Sequence, residues 1–305
     1  MKVAIVGSGA LGLYYGSLLA KSGLDVHFLA RRDYEVLHAE GLTVMSVDGD
    51  FRLERVQVHQ DTLEIGPVDL VLVALKSFDN HALPELLRPL KAGHTLFLTL
   101  QNGLGNEECL CAAVGQEWCL GGVAFLCSNR GEPGVLHHLG AGRVTLGAYG
   151  CVPDDAVNRV AQLFRKAGVQ TQTTDDLLRT RWEKLVWNIP FNGLSTVTGQ
   201  TVDCLLASSA CTELVRELMT ETVMAANAQG LTKDIPFSYV ETMIDFTKGM
   251  GPYRPSMLID REEGRPIERT AIVRFPLAAG TQAGVAMPKT AMLDALLSLY
   301  PESRP

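Results

Sequence analysis

Three polar residues recur at helical spacing within the apolar stretch R-W-E-K-L-V-W-N-I-P-F-N-G. On a helix, Lys184, Asn188 and Asn192 lie with Arg181 inside an arc of roughly 80°. Most neighbouring residues are apolar, so the pattern predicts a largely buried helix with one polar face. Apolar surroundings lower the pKa of a lysine towards the working pH, which suits Lys184 to donating a proton to developing negative charge. The asparagine amides can bind oxygen atoms of a ligand without adding charge.

An alternative is that this stripe is the solvent-exposed face of an ordinary amphipathic helix. Asparagine is a poor helix former, and Pro190 removes an N–H and predicts a kink, so the sequence favours the first interpretation. Burial of the polar side chains distinguishes the two.

A second group of residues forms a G-x-G-x-x-G turn between an apolar run and a helical period. The first glycine permits a tight turn, the second lets a pyrophosphate approach the backbone, and the third lets helix and strand pack closely. The helix N-terminus supplies N–H groups for phosphate. We therefore predict a dinucleotide site whose residues are Gly7, Ser8, Gly9, Ala10, Leu11 and Gly12.

The end of the second predicted strand indicates which dinucleotide binds. Proteins that bind the ribose hydroxyls of NAD usually carry an acid there, whereas this sequence has Ala30-Arg31-Arg32. A guanidinium pairs bidentately with a 2′-phosphate, so we expect NADP(H), bound through Arg31. The alternative is that both arginines are only surface charge. Asp33 is expected to cap the next helix.

Two further strand ends carry polar residues, Lys76 after V-L-V-A-L and Asn102 after T-L-Q. Ligands of open parallel sheets bind beyond the carboxyl ends of the strands, so both residues are predicted to face the cofactor cleft.

The elements that must position these residues follow from the apolar periodicity. Strands are predicted at 2–6, 25–29, 69–75 and 95–100, and helices at 10–22, 79–88 and 104–114. This alternation favours a largely parallel sheet. An Asp-Gly pair within 42–58 predicts a hairpin at the sheet edge. Later strands are expected at 119–127, 134–139, 143–148 and 169–173.

After Thr174 the apolar residues recur only at helical spacing, with breaks expected at five residues, Gly193, Gly199, Gly230, Gly251 and Pro255. The fold class is therefore predicted to be α/β: a Rossmann-type, mostly parallel sheet domain over 1–175 that binds NADP, and an all-helical substrate-binding domain over 176–305. The final residues, P-E-S-R-P, are expected to be frayed.

Composition excludes several classes of function. The net charge is −7 and the basic residues are scattered, which argues against binding nucleic acid or a membrane surface. The seven cysteines lack the spacing of a zinc site, so we expect no metal and a reducing compartment. No apolar run reaches the ~20 residues of a membrane span, and we expect a cytoplasmic protein.

These motifs together resemble the ketopantoate reductase (2-dehydropantoate 2-reductase) family. The resemblance covers nearly the whole chain. It is carried by G-S-G-A-L-G, L-Q-N-G-L-G at 100–105, H-x-G-x-G at 138–142, W-x-K-L-x-x-N-x-x-x-N at 182–192 and S-M-L-x-D at 256–260.

The resemblance implies that NADPH reduces 2-dehydropantoate to (R)-pantoate during pantothenate and coenzyme A biosynthesis. It implies Lys184 as the proton donor and Asn188, Asn192 and Ser256 as substrate contacts. Asn102 is implied at the cofactor and substrate. By the same resemblance Arg31 and Lys76 are cofactor residues, and Glu268 lies near the nicotinamide, although Glu268 could instead belong to a solvated charge run. A homodimer formed through the helical half is a further expectation.

The sequence departs from the family at two places. Val202 stands roughly where some members have a substrate-facing asparagine, and Glu268 is followed by R-T-A-I-V-R instead of I-D-x-x-N-G. These differences keep a second hypothesis open, an NADPH-dependent reductase of another 2-oxo acid. A non-catalytic NADP(H) sensor is a third, although a sensor does not need a proton donor.

Overall fold

The computed structural model of the protein describes residues 1–153 and 155–302. The chain forms two compact units. The first contains Met1–Gln101 and Asn106–Leu177, and the second contains Asn102–Gly105 together with the chain from Leu178 onward. Apolar periodicity does not reveal that four residues from the first half of the chain group with the helical unit.

The first unit is built on a ten-stranded sheet. Its strands, in chain order, are β1 Lys2–Val6, β2 Asp25–Leu29, β3 Leu42–Ser46, β4 Phe51–Leu53, β5 Gln57–His59, β6 Leu70–Val73, β7 Leu96–Thr99, β8 Cys119–Arg130, β9 Val135–Ala148 and β10 Thr171–Thr174. They are arranged β4-β3-β9-β8-β7-β6-β1-β2-β5, and β10 pairs with β9. Neighbouring strands are parallel except in the pairs β3–β4 and β8–β9. The predicted mostly parallel sheet is confirmed.

Helices pack on both faces of this sheet. They are α1 Ala10–Lys21, α2 Tyr34–Glu40, α3 Thr62–Ile65, α4 Leu83–Leu87, α5 Asn106–Val114 and α6 Ala156–Lys166. Strand β1 shows why the strands read as continuous apolar runs: Val3 and Ile5 enter one apolar cluster, while Ala4 and Val6 enter another. A strand buried on both faces has no polar side to alternate with.

Three predicted elements differ from the structure. Residues 42–53 form the expected edge hairpin, but 57–59 form β5, which pairs with β2 at the opposite edge. The strands expected at 134–139 and 143–148 are one strand, β9. Gly140, Ala141 and Gly142, which lie between the two predicted strands, all adopt positive φ. Their pairing with β8 is irregular, but the chain continues in the same direction without a turn.

The helix expected at 79–88 is instead a 3₁₀ turn, Ser77–Ala82, followed by the short α4. A helix that began at 79 would place Pro84 in its interior, where proline has no N–H to complete the hydrogen-bond ladder. Pro84 instead lies in the first turn of α4, where the missing N–H costs nothing. The helix therefore begins later than the apolar periodicity suggests.

The described part of the second unit contains helices and no strands. The helices are α7 Leu177–Thr198, α8 Val202–Ala207, α9 Ser209–Asn227, α10 Ser238–Lys248, α11 Ser256–Glu262, a π-helical turn Thr270–Arg274, α12 Phe275–Gln282 and α13 Pro288–Leu297. Helix α7 continues through Gly193, so the break expected there is wrong. A Cβ on Gly193 would lie 2.5 Å from Leu293 Cδ2, which shows that this glycine serves close packing within the helix.

The end of the sequence also differs from the prediction. The Pro301 carbonyl accepts a hydrogen bond from the N–H of Ile267, and the Glu302 carboxylate accepts one from Thr270 Oγ1. These two residues are therefore not frayed. Residues 303–305 lie outside the described part of the chain. No helix in the described residues is both long and apolar enough to cross a membrane.

Candidate active site

The glycine turn between β1 and α1 has the geometry that a phosphate-binding turn requires. Gly7 has φ 110°, and a Cβ there would lie 2.6 Å from the backbone of Ala74 after β6. A Cβ on Gly12 would lie 2.0 Å from the Gly7 carbonyl oxygen. By contrast, no atom of the protein lies within 4 Å of the position of a Cβ on Gly9. Two glycines are needed by the fold, and Gly9 leaves the backbone approachable from outside.

The turn is also joined to the end of the second strand. Ser8 Oγ donates a hydrogen bond of 2.8 Å to the carbonyl of Leu29, the last residue of β2. The first N–H groups of α1 are available for an anion, and the first turn of the helix carries no acidic residue. The residues present therefore fit a dinucleotide pyrophosphate.

Arg31 lies two residues beyond β2, where the sequence predicts the 2′-phosphate. Its side chain is 68% exposed and its Nη2 lies 3.8 Å from Asp79 Oδ2. That ion pair is long and solvated, so it is weak and can be exchanged for a phosphate. Asp33 stands at the N-cap position of α2 without making the expected side-chain cap; instead its carboxylate pairs with Arg130. Lys76 occupies the N-cap position of the 3₁₀ turn after β6 and is half-buried.

Tyr14 is one of two tyrosines on α1, and its environment excludes it as an acid near neutral pH. Its ring centroid lies 4.4 Å from that of His138 in the H-x-G-x-G segment. Burial, with a smaller contribution from Asp48, raises the pKa of Tyr14 to about 12. Tyr14 therefore stays protonated and serves packing.

In the second unit, the polar face of α7 is buried. Asn188 is 4% exposed, Asn192 is 3% and Arg181 is 4%, while Lys184 is half-buried. The interpretation of this stripe as a solvent face is therefore wrong. The helix also continues through Pro190, which lies inside it.

Lys184 is held by a residue from the first half of the chain. Its Nζ donates a hydrogen bond of 2.5 Å to Oδ1 of Asn102. Asn102 follows β7 by three residues and belongs to the helical unit. An amide oxygen can orient an ammonium without neutralising it, which leaves Lys184 able to stabilise negative charge.

The two asparagines form a connected pair that reaches the start of α11. Asn192 Nδ2 donates to Asn188 Oδ1 at 3.4 Å. Asn192 Oδ1 accepts hydrogen bonds from the backbone N–H of Met257 at 3.0 Å and from Ser256 Oγ at 3.3 Å. Asn192 therefore caps an N–H at the start of another helix, a structural role that spacing along α7 does not reveal. The structure brings together the predicted substrate residues Asn188, Asn192 and Ser256.

Glu268 is 4% exposed, which excludes its interpretation as part of a solvated charge run. It directly precedes Arg269, where a helix begins, and the π-helical turn Thr270–Arg274 follows. π-Helical turns are rare and are frequently found at functional sites.

This π-helical turn anchors the segment that carries Asn102. The backbone N–H of Leu104 donates to the Ala271 carbonyl at 2.9 Å. In a π-helix that carbonyl would pair with the residue five positions on, but this residue is Pro276, which has no N–H. Gly103 allows the approach: its φ is 88°, and a Cβ there would lie 2.3 Å from the Ala271 oxygen. Local spacing does not reveal this anchor, for which Pro276 is a faint signal.

Comparisons with known proteins agree with this arrangement. Residues 3–150 match the model of the family described as ketopantoate reductase PanE/ApbA, and residues 176–300 match that family's C-terminal model. The chain belongs to the ketopantoate reductase family. The family prediction is confirmed, and membership makes the chain an oxidoreductase that acts on CH–OH groups.

Individual ketopantoate reductase relatives cover almost the whole chain. A 2-dehydropantoate 2-reductase of Nostoc sp. is 44% identical over 94% of this chain and 91% of its own length. The crystal structure of 2-dehydropantoate 2-reductase from Geobacter metallireducens GS-15 is 56% identical, has a TM-score of 0.96, and matches 98% of this chain and 99% of its own.

A ternary structure of D-mandelate dehydrogenase with NADH and anilino(oxo)acetate shares the ketopantoate reductase fold. Its TM-score is 0.89 at 23% identity, over 98% of this chain and 97% of its own. At that identity the likeness concerns the fold alone. Membership of the reductase family indicates a nicotinamide cofactor.

Proposed function

We propose that this protein catalyses the NADPH-dependent reduction of 2-dehydropantoate to (R)-pantoate, a step of pantothenate and coenzyme A biosynthesis. The observation that carries the proposal is the hydrogen bond from Lys184 Nζ to Asn102 Oδ1. This hydrogen bond orients the ammonium of Lys184, which shares its helix face with the buried neutral amides of Asn188 and Asn192. A charged proton donor beside neutral hydrogen-bonding groups is the combination that protonation of a reduced carbonyl needs. The names of relatives that cover over nine-tenths of this chain support the same substrate.

In this proposal the first unit binds the cofactor and the second binds the substrate. NADPH, when bound, supplies the hydride. Lys184 stabilises the alkoxide that forms on the substrate and donates the proton that completes the alcohol. Asn102 holds the ammonium in place. Glu268 lies near the nicotinamide and Lys184.

The remaining polar side chains bind the substrate. Asn188, Asn192 and Ser256 present amide and hydroxyl groups to its oxygen atoms without a charge that would compete with Lys184. All three are joined by hydrogen bonds through Asn192, so they are positioned before the substrate arrives.

The preference for NADPH over NADH rests on Arg31. No carboxylate stands at 30–32 to bind ribose hydroxyls or to repel a 2′-phosphate. Arg31 is exposed enough to pair bidentately with that phosphate, and its present partner, Asp79, is 3.8 Å away. Lys76, after β6, is a further cation that follows a strand of this sheet.

A second candidate is an NADPH-dependent reductase of another 2-oxo acid, and two observations favour it. Val202 is fully buried in the apolar core of the helical unit, so it offers no polar group to a substrate. Most of the divergent residues after Glu268 form the π-helical turn Thr270–Arg274. A pocket with fewer polar groups than in other members would accept a substrate with fewer hydroxyls.

The test is NADPH oxidation by the purified protein with 2-dehydropantoate and with a panel of other 2-oxo acids. We expect the highest kcat/KM with 2-dehydropantoate. A higher value with another acid would establish the second candidate. Absence of turnover with every acid, alongside tight NADPH binding, would contradict both and favour a sensor.

A further inference from the structure

The carboxylate of Glu302 is hydrogen-bonded to the first two residues of the helix that follows Glu268. This carboxylate accepts hydrogen bonds from Arg269 Nε at 3.0 Å and Nη2 at 2.6 Å. It also accepts from the backbone N–H of Thr270 at 2.8 Å and from Thr270 Oγ1 at 2.7 Å. We call Glu302, Arg269 and Thr270, together with Asp294, which accepts from Arg269 Nη1 at 3.1 Å, the Glu302 clasp.

The clasp fixes the chain on both sides of Glu268. Before it, the N–H of Ile267 donates to the Pro301 carbonyl at 2.9 Å; after it, Arg269 and Thr270 bind the Glu302 carboxylate. Arg269 is buried, so its charge needs a partner there. Glu268 therefore sits on a backbone that is tied down at both neighbouring residues.

The clasp also lies one residue from the anchor of Asn102. Thr270 precedes Ala271, whose carbonyl binds the N–H of Leu104 two residues after Asn102. Asn102 in turn accepts the hydrogen bond of Lys184. Three hydrogen bonds, linked by the short chain segments 270–271 and 102–104, thus connect Glu302 to the proposed proton donor.

A second carboxylate in the same unit makes the same kind of cap without such a connection. Glu221 accepts hydrogen bonds from the N–H of Lys289 at 3.0 Å, the N–H of Thr290 at 2.9 Å and Thr290 Oγ1 at 2.7 Å, at the start of α13. Both carboxylates satisfy N–H groups in the first turn of a helix and complement its dipole. Only the Glu302 cap adjoins Glu268 and Ala271.

We propose that Glu302 is a positioning residue for the reaction, acting through Arg269 and Thr270 on Glu268 and, through Ala271, on Asn102 and Lys184. The inference rests on the proposed function, because it takes Lys184 and Glu268 as the residues that face the reacting atoms. The residues that bind Glu302, Arg269 and Thr270, are the first two of the divergent segment after Glu268.

The test compares Glu302→Gln with Glu221→Gln in the full-length protein, using steady-state reduction of the best 2-oxo acid and thermal unfolding. Misplacement of reacting groups by a fraction of an ångström lowers turnover steeply, so we expect kcat of Glu302→Gln to fall about tenfold with KM for NADPH unchanged. Glu221→Gln should lower Tm and leave kcat within twofold of wild type. A merely structural role for Glu302 would give both variants the same pattern.

A double-mutant cycle tests whether Glu302 affects kcat through Arg269. If Glu302 acts through Arg269, the Arg269→Gln/Glu302→Gln variant should lose no more kcat than the worse single variant, because both remove one interaction. Multiplicative losses would overturn the route through Arg269. Should Glu302→Gln fail to fold, Thr270→Val and Thr290→Val remove one hydroxyl from each cap, and only Thr270→Val should lower kcat, by roughly threefold.

The outcomes separate this inference from the proposed function. An active wild type with kcat of Glu302→Gln, or of Thr270→Val if it is the variant used, within twofold of wild type overturns the inference alone. A wild type without turnover on any 2-oxo acid overturns the proposed function and the inference with it.

Discussion

The two units position their candidate residues by different means. In the first, the backbone does most of the positioning: Gly7 and Gly12 fit against main-chain atoms, and Gly9 exposes the turn. In the second, side chains position one another over long sequence distances, as Asn102 holds Lys184 and Asn192 holds the start of α11. Substitutions in the first unit should therefore act by steric overlap or lost charge, and those in the second by loosening a hydrogen-bonded set.

The largest effect is expected for Gly12→Ala, because its Cβ would lie 2.0 Å from the Gly7 carbonyl oxygen, which cannot move freely. We expect a loss of about 3 kcal/mol in the free energy of unfolding, measured by urea denaturation. Gly93→Ala is the matched control, since its Cβ would meet no atom within 4 Å. Equal stability of the two variants would contradict backbone positioning of the turn.

Gly9→Ala sharpens this prediction, because the added methyl meets no protein atom within 4 Å but occupies the approach to the backbone. Its stability should match wild type, while the Kd for NADPH, measured by fluorescence titration, should rise. An unchanged Kd would show that the phosphates bind elsewhere.

Arg31→Ala should weaken NADPH binding by roughly tenfold to a hundredfold, the range expected for lost charge-assisted hydrogen bonds. NADH binding should change little, since NADH has no 2′-phosphate. Isothermal titration with both dinucleotides measures the ratio, and Arg55→Ala, an exposed arginine, is the control. Equal effects on the two cofactors would contradict the assignment of Arg31.

Asn102→Ala should lower kcat about tenfold by removing the acceptor that orients Lys184, a loss equivalent to one hydrogen bond to a charged group. The global fold should persist, because Gly103 and Leu104 remain docked on Ala271. Steady-state kinetics with circular dichroism check both points. A variant with normal kcat would mean that side-chain positioning of Lys184 is unnecessary.

The smallest effect concerns the pH dependence of stability at Glu302. Burial opposes its charged form, but the hydrogen bonds from Arg269 and Thr270 outweigh burial and hold the pKa of Glu302 below its usual value. Its stabilisation is therefore complete above about pH 4.3, the unfolded pKa, and is lost as pH falls through the folded pKa.

Because Glu302 is partly exposed, the difference in the free energy of unfolding between wild type and Glu302→Gln should be under about 1 kcal/mol at pH 7 and should shrink below pH 4. Urea denaturation from pH 3 to pH 7 measures it. A difference that grows on acidification would contradict the sign of this shift.

The sequence predicts features with a local spacing better than contacts between distant residues, and the reason is physical. The glycine turn and the polar face of α7 depend on local spacing, so periodicity reveals them. Contacts between distant residues leave no local pattern: Asn192 with Met257, Glu302 with Arg269, and Leu104 with Ala271 are all visible only in three dimensions.

At Gly193 a local pattern predicts a helix break that the structure does not have. Glycine often ends a helix, and the sequence gives no sign that Leu293 packs closely against this position. Tertiary packing here overrides a local preference. The same reason explains why Asp33, a good capping residue, pairs with Arg130 instead.

The central claim is that Lys184 donates the proton during reduction. Single-turnover oxidation of enzyme-bound NADPH by 2-dehydropantoate, in wild type and Lys184→Ala, tests it most directly, with Lys248→Ala, a surface lysine of the same unit, as control. We predict that the rate falls by about 10²- to 10⁴-fold in Lys184→Ala alone, with the Kd of NADPH unchanged. A rate in Lys184→Ala equal to that of wild type would contradict the claim.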